Sequence, residues 1–244
     1  AEAAEGVLDT DEQRLLVRRA REWSDADVPL LDEAHALVGS PPKAYGHVIV
    51  DEAQDLTPMQ LRAIARRAQR GALTILGDVA QGTGAVAYAR WEDVLPHLPG
   101  GEDADVEELR HAYRVPREIM ELALPLLDSI APDVEPPLAY RTGAAAPTLR
   151  QVEPEHLLAE AYHEAARLAR DEGLLALIAP DELIEQADEH LYEGIPLLTP
   201  RQSKGLEFDH VIVVEPALIA EKPQGLRELY VALTRPTKTL VVVH

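Results

Sequence analysis

Short apolar runs rich in β-branched residues alternate along the chain with amphipathic stretches of helical period, the pattern of a parallel sheet covered by helices. The spacing predicts strands over His47–Asp51, Leu73–Asp78, Thr148–Val152, Leu174–Ala179, Pro196–Thr199, His210–Glu215 and Thr239–Val243. Several are almost wholly apolar, as strands buried on both faces are. Helices are predicted over Thr10–Trp23, Asp27–Val38, Pro116–Ile130, Glu155–Glu172, Asp181–Tyr192 and Gly225–Arg235. One more starts at Thr57, an N-cap followed by Pro58, and stops at Gly71. The fold class is α/β. Two stretches read as boundaries: the glycine-rich acidic Pro99–Asp105 and the proline-rich Ala131–Pro147. Only two strong strands precede the first of them, too few for a complete α/β domain. The sequence is therefore expected to be part of a larger protein, divided into units 1–102 and 103–244.

The 244 residues include 23 Lys and Arg against 43 Asp and Glu, a formal net charge of −20. Hydrophobic residues make up 46%, enough for a packed core in spite of that charge. An acid excess of this size excludes a surface basic throughout, so any contact with nucleic acid has to be local. Cysteine is absent, which removes disulfides, thiolate zinc sites and cysteine nucleophiles and fits a reducing cytoplasm. No apolar run approaches the roughly 20 residues of a membrane span, so no membrane is expected among the partners. The 9 histidines form no metal-ligand pair such as H-E-x-x-H.

Two blocks carry candidate chemistry. His47–Asp55 reads H-V-I-V-D-E-A-Q-D, an apolar strand that ends in two acids. Acids there lie at the carboxyl edge of a parallel sheet, where one can hold Mg²⁺ and its neighbour can deprotonate a water. The same pair is equally the ordinary solvated end of a strand. Leu73–Gln81, L-T-I-L-G-D-V-A-Q, brings a second strand and an amide to the same edge. An amide both donates and accepts, which suits a phosphate and its attacking water.

Together these blocks resemble motifs II and III of the UvrD/Rep-type superfamily 1 helicases. Leu109–Arg114 (L-R-H-A-Y-R) resembles motif IV, Leu198–Phe208 (L-T-P-R-Q-S-K-G-L-E-F) motif V, and Leu229–Arg235 (L-Y-V-A-L-T-R) motif VI. The resemblance implies RecA-like parallel sheets flanked by helices, one domain partial and one nearly complete, working on ATP with Mg²⁺. It implies Asp51 as the Mg²⁺-associated acid, Glu52 as general base and Gln81 as γ-phosphate sensor. Arg114 and Arg235 are implied as cations reaching the γ-phosphate from the second domain. Glu207 is implied at the ribose, with Gly205 and Gln54 also at the nucleotide, and Gln54 and Asp55 are implied to couple the two domains. In phosphoryl transfer such an arginine is worth about 10³–10⁵ in rate.

Three departures refine the resemblance. No Gly precedes any of the lysines, Lys43, Lys204, Lys222 and Lys238, so a G-x-x-x-x-G-K-[ST] phosphate loop is missing. The family has that loop upstream of motif II, and the chain alone is expected to hydrolyse ATP negligibly. Gln81 is followed by Gly82-Thr83-Gly84-Ala85 in place of base-stacking aromatics; Tyr88 and Trp91 come next, and Trp91 reads as core. Arg201 stands where motif V commonly has His, which bears on a nucleic-acid contact through Thr199 and Arg201. Trp23–Ala34, W-E-D-V-L after motif III and Tyr113–Met120 resemble the HelD-type ATPases that associate with RNA polymerase. That branch implies RNA polymerase as a partner, with DNA contacted weakly or through the missing N-terminal part of the same protein. One basic patch remains: Arg62, Arg66 and Arg70 recur every four residues beside Arg67, either a solvated face or a contact to nucleic acid or an acidic partner.

Overall fold

The computed structural model describes residues 6–15, 17, 23–39, 42–187 and 194–244. The amino-terminal part holds α1 (Thr10–Leu15), α2 (Asp27–Val38), β1 (Val48–Val50), α3 (Pro58–Ala65) and β2 (Leu73–Ile75). Next come β3 (His111–Ala112), α4 (Arg117–Ala123), α5 (Leu127–Ile130), β4 (Leu138–Ala139), β5 (Thr148–Arg150) and α6 (Leu157–Leu168). The remainder is β6 (Leu175–Ile178), α7 (Asp181–Ile184), β7 (Leu197–Leu198), α8 (Pro200–Ser203), β8 (Phe208–Val214), α9 (Pro216–Ala220), α10 (Gly225–Leu233) and β9 (Pro236–Val243). The expected helices from Thr10 and from Asp181 run on into residues outside the described set.

The fold is α/β. Five strands form one parallel sheet in the order β5-β9-β8-β6-β7. Because successive side chains of a strand point to opposite faces, its apolar runs feed two cores at once. Val211 and Val213 of β8, with Leu240 and Val242 of β9, join Ile119, Met120, Leu127 and Tyr230 of the helices on one face. Ile212 and Val214, with Val241 and Val243, join Leu157, Ala161, Ala165 and Leu168 on the other. Those four residues of α6 recur at three- and four-residue steps, so one stripe of that helix meets the sheet.

β1 and β2 pair in parallel as a separate two-stranded sheet, with Val48 opposite Leu73 and Val50 opposite Ile75. A small core of Leu61, Tyr88 and Val94 lies beside them, and Trp91 packs against both this core and the larger one. Val79 and Ala80, just beyond β2, are buried in the large core of the five-stranded sheet. The two lobes therefore share apolar packing as well as a boundary.

Two expected helices are shorter in the structure. The stretch Pro116–Ile130 breaks into α4, a 3-10 turn at Leu124–Leu126 and α5. Pro125 lacks the N–H that a continuous helix needs at that point. The helix from Thr57 has the expected cap, with reciprocal Thr57 and Gln60 bonds, but ends at Ala65 well before Gly71. The chain beyond it turns to pair with Tyr45, and Arg70 takes a left-handed φ of 57°.

Ile212 is fully buried in the middle of β8. Ile212→Ala should lower unfolding stability by about 2–5 kcal/mol, read from the urea midpoint at constant m.

Candidate functional site

The carboxyl edge of β1 turns sharply. Asp51 follows the strand, and its Oδ1 accepts the Glu52 N–H at 2.9 Å. Glu52 itself is left-handed, with φ 53° and ψ 35°. For a residue with a Cβ that conformation costs about 1–2 kcal/mol, and it persists only where the surroundings hold it. Gln54, fully buried, supplies part of that hold. Its Nε2 donates to Glu52 Oε2 at 2.6 Å, and its Oε1 accepts the Asp78 N–H at 3.1 Å. One amide thus ties the end of β1 to the end of β2.

Asp78 caps the 3-10 turn Val79–Gln81 by accepting the Ala80 N–H, and its other oxygen accepts from Gln81 Nε2 at 2.9 Å. Asp55 fixes the next loop, accepting the N–H groups of Thr83 and Gly84 at 2.9 and 3.0 Å. Gly84 lies so close that a Cβ there would stand 2.4 Å from the Asp55 carbonyl oxygen. This close approach is a physical reason for glycine where base-stacking aromatics had been the family comparison. Tyr88 is buried and donates to the Leu56 carbonyl, and Trp91 is partly buried, packed against both cores.

The opposing lobe contributes cations. Arg235, at the end of α10, is 2% exposed. Its guanidinium donates to the carbonyls of Val231 and Leu206, to Thr234 Oγ1, and across the lobes to Gln81 Oε1 at 2.8 Å. Every acceptor is neutral. Burial, and next the charge of Arg114, pull the Arg235 guanidinium below its ordinary value, while Glu52, Glu207 and Asp78 act the other way. Arg114 pairs with Glu207 at 2.7 Å, both side chains about half exposed. Gly205 adopts a left-handed φ of 73° with open space where a Cβ would be, as the chain turns from α8 toward β8.

Glu52, Gln81, Arg114, Arg235 and Glu207, with the turn at Gly205, therefore gather at the junction of the lobes, and buried Gln54 is tied to Glu52. Asp51 is exposed at the end of β1. Arg201 and Thr199 have intramolecular partners: Arg201 pairs with buried Glu228 at 2.6 Å, and Thr199 caps α8 by accepting the Gln202 N–H.

Three residues that bond across the junction of the lobes went unrecognised in the sequence. Lys204 reaches Asp55, Glu52 and the Gln81 carbonyl. Buried Arg227 donates to the carbonyls of Val79 and Ile130, and Gln224 donates to the Gly84 carbonyl at 2.7 Å. Lys204 sits inside the motif V block, so its position was in view. Arg227 was detectable as the one cation within the apolar pattern of α10.

The basic patch resolves differently from either reading of the sequence. Asp32 and Glu33 of α2 pair with Arg62, Arg66 and Arg67, so the charge is consumed in docking α2 onto α3. Arg70 lies beyond the end of α3 and does not share its face.

Residues 195–243, from before β7 to the end of β9, match the family of UvrD-like helicase C-terminal domains. No curated protein matches the chain. Among solved structures, the C-terminal domain of a possible DNA helicase from Lactobacillus plantarum is 18% identical, covering 54% of this chain and 86% of that one at a TM-score of 0.41. Arterivirus nonstructural protein 10, a helicase in complex with DNA, is 20% identical over 84% of this chain and 41% of that one, at 0.47. The PRRSV helicase is 16% identical over 81% and 34%, at 0.48. The chain thus spans well under half the length of these viral helicases.

The bonds from Arg67, and next from Arg66, hold the Asp32 carboxyl well below the usual carboxylate range. A depressed carboxyl stabilises the fold fully above its unfolded value and loses that contribution as the pH falls below about 4. The urea midpoint of Asp32→Asn should therefore lie below that of the parent sequence at pH 6, with the gap closing as the pH falls below about 4.

Proposed function

We propose that the junction of the lobes forms a crevice for a triphosphate and that the chain is part of an ATP-dependent, helicase-like superfamily 1 motor. The observation that carries this reading is the buried Arg235 guanidinium. Among the described residues no carboxylate pairs with it, so a positive charge removed from water faces the crevice with neutral acceptors only. A polyanion is the natural complement of such a group. The units 1–102 and 103–244 are proposed as the end of a first RecA-like domain and most of a second.

In this reading Glu52 accepts the proton of the attacking water, and Gln81 orients that water against the γ-phosphate. Arg235 and Arg114 stabilise the charge that develops on the transferred group. Glu207 serves the ribose, beside the turn at Gly205, and Gln54 holds Glu52 in place. Among the described residues no group of three or more His, Asp or Glu could hold a metal ion alone. A Mg²⁺ ion that arrives with a nucleotide needs only one or two carboxylates, and Asp51 fits that requirement at the strand end. Bound there, Mg²⁺ would neutralise developing phosphate charge. Because the acids and the cations come from different lobes, turnover would depend on lobe closure, the coupling a motor requires.

We further propose that the partner is RNA polymerase, as in the HelD-type ATPases, with the motor remodelling or releasing it from nucleic acid. The support is electrostatic and local. The chain carries a net charge of −20, the arginines of α3 are paired internally, and Tyr88 is buried with Trp91 packed partly against the cores. Such a surface suits a basic protein channel better than a phosphate backbone. A conventional UvrD/Rep-type translocase on DNA is the competing reading.

In the full-length parent, Glu52→Gln should retain binding of a fluorescent ATP analogue and abolish phosphate release. Arg235→Ala should lower turnover by at least two to three decades; unchanged turnover in that variant would sink the triphosphate reading. The 244-residue chain, which has no G-x-x-x-x-G-K-[ST] loop, should release phosphate at background rate. Binding to purified RNA polymerase with little affinity for single-stranded DNA is the outcome expected for the partner. Tight, steeply salt-dependent DNA binding would instead assign the conventional translocase.

A further inference from the structure

Lys204 is placed to do more than fill its motif. Its side chain is 9% exposed, and its ammonium meets acceptors on two separate segments of the opposing lobe. Asp55 Oδ2 lies at 2.5 Å, the Gln81 carbonyl at 2.6 Å and Glu52 Oε2 at 3.5 Å. Asp55 in turn uses Oδ1 to hold the Thr83 and Gly84 amides, while Glu52 is pinned by Gln54. A single side chain therefore connects α8 to the acids after β1 and to the turn after β2.

We propose that Lys204 is an interlobe latch and a positioning residue for Glu52. Its charge draws the acid cluster onto the edge of the five-stranded sheet, so that closure of the crevice is encoded in the polypeptide itself. Three features make this contact unlike the exposed pairs elsewhere. The ammonium is nearly dry, so screening by salt is weak there. Its partners belong to segments far away in sequence, so the bond constrains lobes and not a local turn. The left-handed backbone at Glu52 needs external support, and the ammonium shares with Gln54 the hold on Glu52 Oε2. The role of the latch in turnover rests on the triphosphate reading above; the latch itself does not.

The chain has no cysteine, so a pair of spin labels can be introduced cleanly at the exposed positions Gln69 and Glu155, one in each lobe. Pulsed electron spin resonance on the 244-residue chain, without nucleotide, should give one narrow distance distribution. Lys204→Met should broaden it and shift its mean by several ångströms, and Asp55→Asn should do the same. The double variant should show no more than the larger single effect, because both remove one interaction. Lys204→Arg should restore the narrow distribution. Lys222→Met serves as the control, since Lys222 pairs with Asp181 and Glu182 inside its own lobe. An unchanged distribution in both Lys204→Met and Asp55→Asn, or an equal change in Lys222→Met, would overturn the latch. Circular dichroism of each variant shows that it is folded, and if Lys204→Met fails to fold, Asp55→Asn decides. Since no nucleotide enters the measurement, a failed latch and a failed triphosphate site give different results.

Discussion

A guanidinium buried without a carboxylate is costly, and the rest of the crevice is organised around that cost. Arg235 keeps its charge because four neutral oxygens replace its hydration, and one of them, Gln81 Oε1, belongs to the other lobe. Gln81 can offer that oxygen because Asp78 takes its Nε2, and Asp78 is in turn held by Gln54. The chain of bonds continues from Gln54 to Glu52. A charge at the end of α10 is thus connected, through amides and carboxylates, to the acids at the end of β1.

The same arrangement explains why the lobes are not independent. Val79 and Ala80 are buried in the core of the five-stranded sheet, which carries the turn bearing Gln81 up to Arg235. Arg227 secures the same turn by bonding the Val79 carbonyl and reaching to Ile130. Apolar burial thus provides the gross attachment, and the buried polar groups fix its register. Polar groups in that position contribute specificity more than net stability, since each must first be desolvated.

Much of this was legible in the residues. The apolar runs located every strand of the five-stranded sheet, most plainly β6, β8 and β9, whose burial on both faces leaves a near-continuous apolar pattern. Glu52, Gln81, Arg114 and Arg235 stand out in the sequence, and the structure brings them close together. Other features left no periodic trace. β3 and β4 are two residues each, too short for alternation to register. The loss of the last turns of α3 reflects tertiary pairing with Tyr45, which local propensity does not encode. The basic patch looked free only because its partners, Asp32 and Glu33, lie about thirty residues earlier. Lys204 was passed over because its importance depends on Asp55, 149 positions away in the chain.

The backbone at Glu52 bears on how this sequence would respond to selection for robustness alone. Glycine at that position would relieve a torsional cost of about 1 kcal/mol, but it would also take from the fully buried Gln54 amide its acceptor, a loss of about 1–3 kcal/mol. Selection for robustness alone should therefore keep an acceptor side chain there in spite of the torsion. The strained turn at position 52 is thus held in place by the buried amide that its side chain satisfies.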